Sequence, residues 1–360
     1  MLRKTVLALA TCIGVLFVSC TRDGDTIYEA DPTDMPDTSP VVTVVYDPDA
    51  LGDRSYNDLI YKGVEAAVLK YGLRTMQLSP ATHDEGLAYL ESFVRQVAAQ
   101  QDTVRRLLVV TSTAYDDWVR QNNRRLEGNP YADLLYFETS TPLDGKGSTL
   151  YMPYYGAMYE AGAVSPFFAS EVLLIGANPE NEAVAEAMQG FKHGFATDYI
   201  GMRDVKQLYV EYIGNHQDEG FSISDSLALA MLNRHEWQVP YDYPLIVPIC
   251  GGAGISFQQL VDVVGLYRFM GVDVKKTSLQ CLHSAVKHID QAMSLCIGQW
   301  LTAEGMPKHQ SLGLASGYTE MLIHPTSKLE KSQMDEYLSS HLLDTIHEEA
   351  IRKEAEYEKK

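Results

Sequence analysis

From residue 41 onward the chain alternates short apolar runs with longer amphipathic stretches, which restricts it to an α/β architecture. VVTVVY (41–46) is apolar and β-branched, as a strand covered on both faces must be. Residues 57–71 then place Leu59, Ile60, Val64, Ala67, Val68 and Tyr71 at helical spacing, and Gly72 ends the helix. The pattern repeats, with strands expected at 73–78, 107–111, 134–138, 172–176, 208–213, 245–249 and 266–272. Helices are expected at 84–100, 156–168, 182–197, 222–233 and 256–264. Three hundred and sixty residues exceed what one hydrophobic core usually holds, so the alternation predicts two parallel-sheet lobes in series. The terminal HEEAIRKEAEYEKK mixes both charge signs at helical spacing and predicts a solvated helix in a charged tail over 346–360.

The stretch before residue 41 has a different character. Arg3 and Lys4 precede an apolar run, Val6 to Val18, which Ser19 and Cys20 close. Basic residues, apolar run and small residue in that order predict a secretory signal over 1–19. The run is too short for a membrane span, which needs roughly 20 apolar residues. Leu16-Phe17-Val18-Ser19-Cys20 resembles a bacterial lipobox, which implies that Cys20 becomes the lipidated first residue of an extracytoplasmic protein. An ordinary signal peptide is the alternative. Residues 21–40, rich in Asp, Thr and Pro, read as a flexible linker. As a coil they would span about 25 Å, enough to hold a domain clear of a membrane.

The net charge is −19, and −21 without Arg3 and Lys4. An acidic surface repels phosphate backbones, so nucleic acid is not an expected partner. Cys250, Cys281 and Cys296 match no zinc spacing and read as small buried hydrophobes. No G-x-S-x-G, H-E-x-x-H or C-x-x-C motif occurs, and the glycines 251, 252 and 254 lack the Lys-Ser/Thr of a phosphate loop. The sequence therefore predicts neither an enzyme nor a cofactor or metal site.

GDRSYNDLIYKGVEAA (52–67) resembles the first loop and helix of the basic membrane protein family, lipoprotein receptors of ABC transporters related to purine-nucleoside receptors. Asp53-Arg54-Ser55-Tyr56-Asn57, with Tyr61 and Gly63, follows that family's D-K-S-F-N pattern. TLYMPYYGAMYEAGAVSPFF (149–168) and VLLIGANPENEAVAEAMQGFKHGF (172–195) are similar to later family segments. So are ICGGAGISFQQLV (249–261), GVD (271–273) and HSAVKHIDQAM (283–293), the last as a helix. The resemblance implies a type I periplasmic-binding-protein fold, with two doubly wound parallel-sheet lobes joined by a hinge. Lobe 1 would comprise 41–138 plus 281–309, and lobe 2 would comprise 139–280 plus 310–345.

The resemblance also implies a nucleoside-like ligand in the cleft and an ABC permease as partner. It places six ligand-binding residues. Tyr56 would stack on a base and Asn57 would bond its edge, the competing reading being that Ser55 or Asn57 caps the helix. Asp273 would accept ribose hydroxyls, although Lys275 stands where the family often has a second Asp. Lys287 would reach the cleft, or else pair with Asp290 along a helix. Glu138 would face the hinge, and His216 would replace a stacking aromatic. Tyr154 and Tyr155 read as core. Lys275 and His216 also motivate an alternative, a lipid-anchored interaction or sensing protein that keeps the fold but has a diverged pocket.

Overall fold

The leucine-, isoleucine- and valine-rich runs form strands, and the stretches between them supply helices whose apolar faces cover those strands. The first are β1 (Val41–Val45), α1 (Tyr56–Tyr71), β2 (Arg74–Leu78), α2 (His83–Ala98), β3 (Arg106–Val110), α3 (Asp116–Asn122), β4 (Ala132–Phe137) and β5 (Ser148–Tyr151). Then come α4 (Tyr155–Phe168), β6 (Glu171–Gly176), α5 (Glu182–Ala196), β7 (Gln207–Tyr212), α6 (Asp225–Leu232), β8 (Leu245–Ile249), α7 (Ala253–Val264) and β9 (Arg268–Asp273). The chain closes with β10 (Cys281–Lys287), α8 (Ile289–Leu301), β11 (His309–Ser311), β12 (Thr319–Ile323) and α9 (Ser340–Tyr357). This computed structural model describes residues 38–48, 50–199, 206–217, 219–237, 243–276, 278–324 and 340–359. The expected signal segment, Cys20 and linker positions 21–37 lie outside the described residues.

Two six-stranded sheets result. The first runs β11-β5-β4-β3-β1-β2, with every pairing parallel. The second runs β12-β10-β9-β8-β6-β7, parallel except that β12 is antiparallel to β10. Val41–Val45 runs in register between Arg74–Leu78 and Arg106–Val110, so the carboxyl ends of these strands finish level. In the first lobe α1 and α8 share one core layer, in which Val64, Ala67, Ile289, Met293 and Trp300 are buried. In the second, α4 and α5 share another, with Met158, Ala161, Met188 and Phe191.

Three sequence expectations are corrected. Residues 281–287 form a strand, not the first part of a helix. They lie between β9 and β12, buried on both faces, and their polar members break the continuous apolar run that marks such a strand. The sheet memberships also shift the lobe boundaries. β5, beyond residue 138, still belongs to the first sheet, and β10 belongs to the second. The chain thus crosses between lobes at 152–154, at 288 and at 312–318. Finally, the charged C-terminal stretch is a helix, as expected, but it is not solvated all round. Ile346, Ala350 and Glu354, four residues apart, form a buried face of α9 that packs on the second lobe. Cys250, Cys281 and Cys296 are buried free thiols.

Candidate functional site

The loop after β1 braces itself through two aspartates. Asp53 accepts from the backbone N–H groups of Ser55, Asn57 and Asp58 and from the Asn57 side-chain amide at 3.0 Å. Asp58 accepts from the N–H groups of Gly52 and Arg54. Asp53 therefore satisfies three of the four orphan donors of α1, and neither Ser55 nor Asn57 caps the helix with its side chain. The Ser55 hydroxyl is left to reach the other lobe, donating to Asp273 Oδ2 at 3.0 Å.

Asp273 ends β9 with φ of +63°, and Val274 N–H bonds Val272 C=O across it at 2.8 Å, a γ-turn. A side chain at positive φ is costly and is held by its surroundings. Here the holder is Tyr154, whose hydroxyl accepts from Asp273 N–H at 2.9 Å and donates to Ala285 C=O at 2.6 Å. Tyr154 is more than the core residue its sequence context suggests. It is buried, but its ring also lies 4.7 Å from the Nζ of Lys287.

Lys287, the last residue of β10, pairs with Glu138, which directly follows β4. The Nζ–Oε1 distance is 2.8 Å, and the side chains are 4% and 6% exposed. Because Lys287 lies in a strand, the alternative pairing with Asp290 along a helix does not arise. Burial opposes its charge, but Glu138, Asp273 and Glu186 outweigh that cost and hold its pKa above the usual lysine range. Burial raises the carboxyl of Asp273, with Lys287 and the Ser55 hydroxyl pulling the other way. Glu186, on α5, is buried too, and it accepts from the Tyr151 hydroxyl and from Tyr154 and Tyr155 N–H at 2.9 and 3.0 Å. It fixes the N-terminus of α4 and with it Tyr154.

Tyr56 stacks on Phe137, ring centroids 5.5 Å apart and planes 6° apart, and its hydroxyl donates to Thr111 C=O at 3.3 Å. Burial and the nearby carboxylates of Glu138 and Asp273 push that hydroxyl far above the usual tyrosine range. Five sequence candidates, Tyr56, Asn57, Glu138, Asp273 and Lys287, thus sit at carboxyl ends of strands or just beyond, where α/β sheets place ligands. Glu138 and Lys287 pair directly, Tyr154 links Lys287 to Asp273, and Tyr56 stacks on Phe137 next to Glu138 in the chain. His216 is not brought to this cluster. Its side chain is 70% exposed and faces Glu180 at 3.7 Å in the turn beyond β7.

Ser55, Tyr154 and Glu186 complete the cluster and were not predicted. Only Glu186 left a trace, a lone carboxylate on an otherwise apolar helix face. A crevice of about 10 Å³, room for about one water, opens beside Ser55, Asp273 and Lys276. A larger groove of about 700 Å³ lies apart, on the outer α1–α8 face of the first lobe, and none of the six candidates lines it.

No protein-family model and no curated protein matches the chain. Solved structures do. An ABC transporter system solute-binding protein from Aeropyrum pernix K1 superimposes with a TM-score of 0.68 at 14% identity, covering 88% of this chain and 92% of that one. The chain has the type I periplasmic-binding-protein fold. A second protein with this fold, from Bacillus halodurans and described as a transcriptional activator of the comK gene, has a TM-score of 0.61 at 14% identity, covering 84% and 98%. A third, an ABC transporter solute-binding protein from Burkholderia graminis in complex with D-arabinose, has a TM-score of 0.57 at 13% identity, covering 80% and 97%.

Proposed function

We propose that this protein is an extracytoplasmic solute-binding lipoprotein that captures a small hydroxylated ligand, a nucleoside, between its lobes for uptake by an ABC-type permease. The observation that carries the reading is the convergence of Ser55 and Glu138 from the first lobe with Asp273 and Lys287 from the second. A hydroxyl donates one bond and accepts others, so a carboxylate and an ammonium side by side suit vicinal hydroxyls. Tyr56 supplies an aromatic face for a base or sugar ring. The fold is shared with proteins described as ABC solute-binding proteins, one of them holding D-arabinose. In this reading Cys20 carries the lipid anchor, and the role is capture and release, not catalysis.

Titrating the purified protein calorimetrically with nucleosides and with free pentoses tests it. Heat with nucleosides, lost in Lys287→Ala and Asp273→Ala, supports the proposal. Heat with pentoses alone moves the ligand to a free sugar. No heat with either class favours the second reading, a lipid-anchored sensing or interaction protein. One feature favours that reading: Glu138 and Lys287 already satisfy each other in a buried ion pair, and the crevice beside Ser55 and Asp273 has room for about one water.

A further inference from the structure

We propose that the C-terminal helix α9 is a strap across the hinge that limits how far the two lobes open. The helix is rooted on the second lobe. Ile346 packs with Val164 and Phe168 of α4, and Ala350 with Tyr155 and Tyr159. Tyr357 stacks on Tyr155, centroids 4.8 Å apart, and His347 Nδ1 meets Glu160 Oε1 at 2.6 Å. A helix that only covered this surface would stop there.

Glu354 does more. It is 4% exposed, and each carboxylate oxygen accepts one backbone N–H from a different element. Oε2 takes Gly156 N–H at 2.8 Å, in the first turn of α4. Oε1 takes Leu314 N–H at 2.8 Å, in the third crossing between lobes, 312–318. The socket is shaped for the carboxylate. A Cβ at Gly156 would lie 2.6 Å from Oε2, and one at Gly313 would lie 2.4 Å from Oε1. Beyond it Glu358 accepts a hydrogen bond from the hydroxyl of Ser311, in β11, the edge strand of the first sheet. The helix and the turn that follows it therefore grip the second lobe, a hinge segment and the rim of the first lobe in order.

Hinge bending between lobes is absorbed by backbone rotation in the few segments that cross. Clamping one of the three raises the cost of the open form and shifts the population toward closure, whatever ligand the cleft receives. The inference rests on the two-lobed fold alone and is independent of the function proposed above.

The test reads the interlobe distance by single-molecule energy transfer in the full chain, dye-labelled at Gln101→Cys in the first lobe and Leu279→Cys in the second. Both positions are exposed, and the described cysteines are buried. Removing a charge-assisted bond pair with Glu354→Ala is expected to raise the open-to-closed ratio at least about tenfold. A second variant, Ser311→Ala with Glu358→Gln, touches only the exposed tip and leaves folding intact. It is expected to raise the ratio by about twofold. An unchanged distance distribution in the tip variant, or in a folded Glu354→Ala protein, overturns the proposal.

Discussion

Glu138 and Lys287, 149 positions apart in the chain, form a buried ion pair at 2.8 Å that joins the end of a strand in one sheet to the end of a strand in the other. Removing either charge alone strands the other in a poorly solvated place, and a half-pair of this kind costs about 3–5 kcal/mol. Lys287→Met is expected to be the worse single change, because Asp273 and Glu186 lose their counter-charge as well. Urea unfolding of Lys287→Met, Glu138→Gln and the double variant checks this: the double variant should recover much of the loss. Strictly additive losses would mean that the pair carries no coupling.

Tyr154→Phe deletes a single hydroxyl but leaves Asp273 N–H and Ala285 C=O without their partner. Unsatisfied buried backbone groups cost about 1–3 kcal/mol, so thermal stability should fall by that order. Hydrogen exchange at the Asp273 amide should accelerate more than at amides elsewhere in β9. Equal acceleration throughout β9 would show that the hydroxyl does not specifically hold the positive-φ turn.

Gly194→Ala should be severely destabilising. The added Cβ would lie 1.9 Å from Tyr159 C=O, a backbone atom of α4, so α4 and α5 would have to separate. Overpacking of this kind costs about 1–3 kcal/mol or more. Gly128→Ala, which meets nothing within 4 Å, is the matched control. It should be neutral or gain a few tenths of a kcal/mol through the unfolded chain. A chemical-denaturation midpoint for each variant separates the two outcomes.

Stability should decline as pH rises through neutrality. Burial pushes the carboxyls of Glu160 and Glu354 up to about 7, against an ordinary glutamate value of 4.5. A folded-state pKa above the unfolded one gives a contribution that is complete below pH 4.5 and lost as pH climbs through about 7. Each group can account for at most about 3 kcal/mol across that window. Unfolding at pH 5 and pH 8 should show the difference, and Glu160→Gln with Glu354→Gln should flatten it. An unchanged slope in the double variant would mean that other groups dominate.

The parallel α/β alternation was legible because buried parallel strands are continuous apolar runs, and β1, β3, β6 and β8 fall within a residue or two of where they were expected. β10 was not, because CLHSAVK places His283, Ser284 and Lys287 in the interior, and polar residues there imitate a helix face. β5 is four residues long, too short to show a period. At the site, Glu138 and Lys287 were found separately, but nothing in a linear string couples residues so far apart. Ser55 was read as a possible cap because the Asp53 bridge that frees it depends on the loop's folded turn. The buried face of α9 was hidden because Glu354 contributes a charge to the composition while occupying a core position.

Neither lobe is one continuous stretch of chain. The first needs α8 and β11, which follow most of the second, so its outer layer cannot be finished until the residues up to Ser311 have been synthesised. A nascent chain of this design stays incomplete until late in translation, and a fragment that ends before Ser311 has no finished first lobe to fold into.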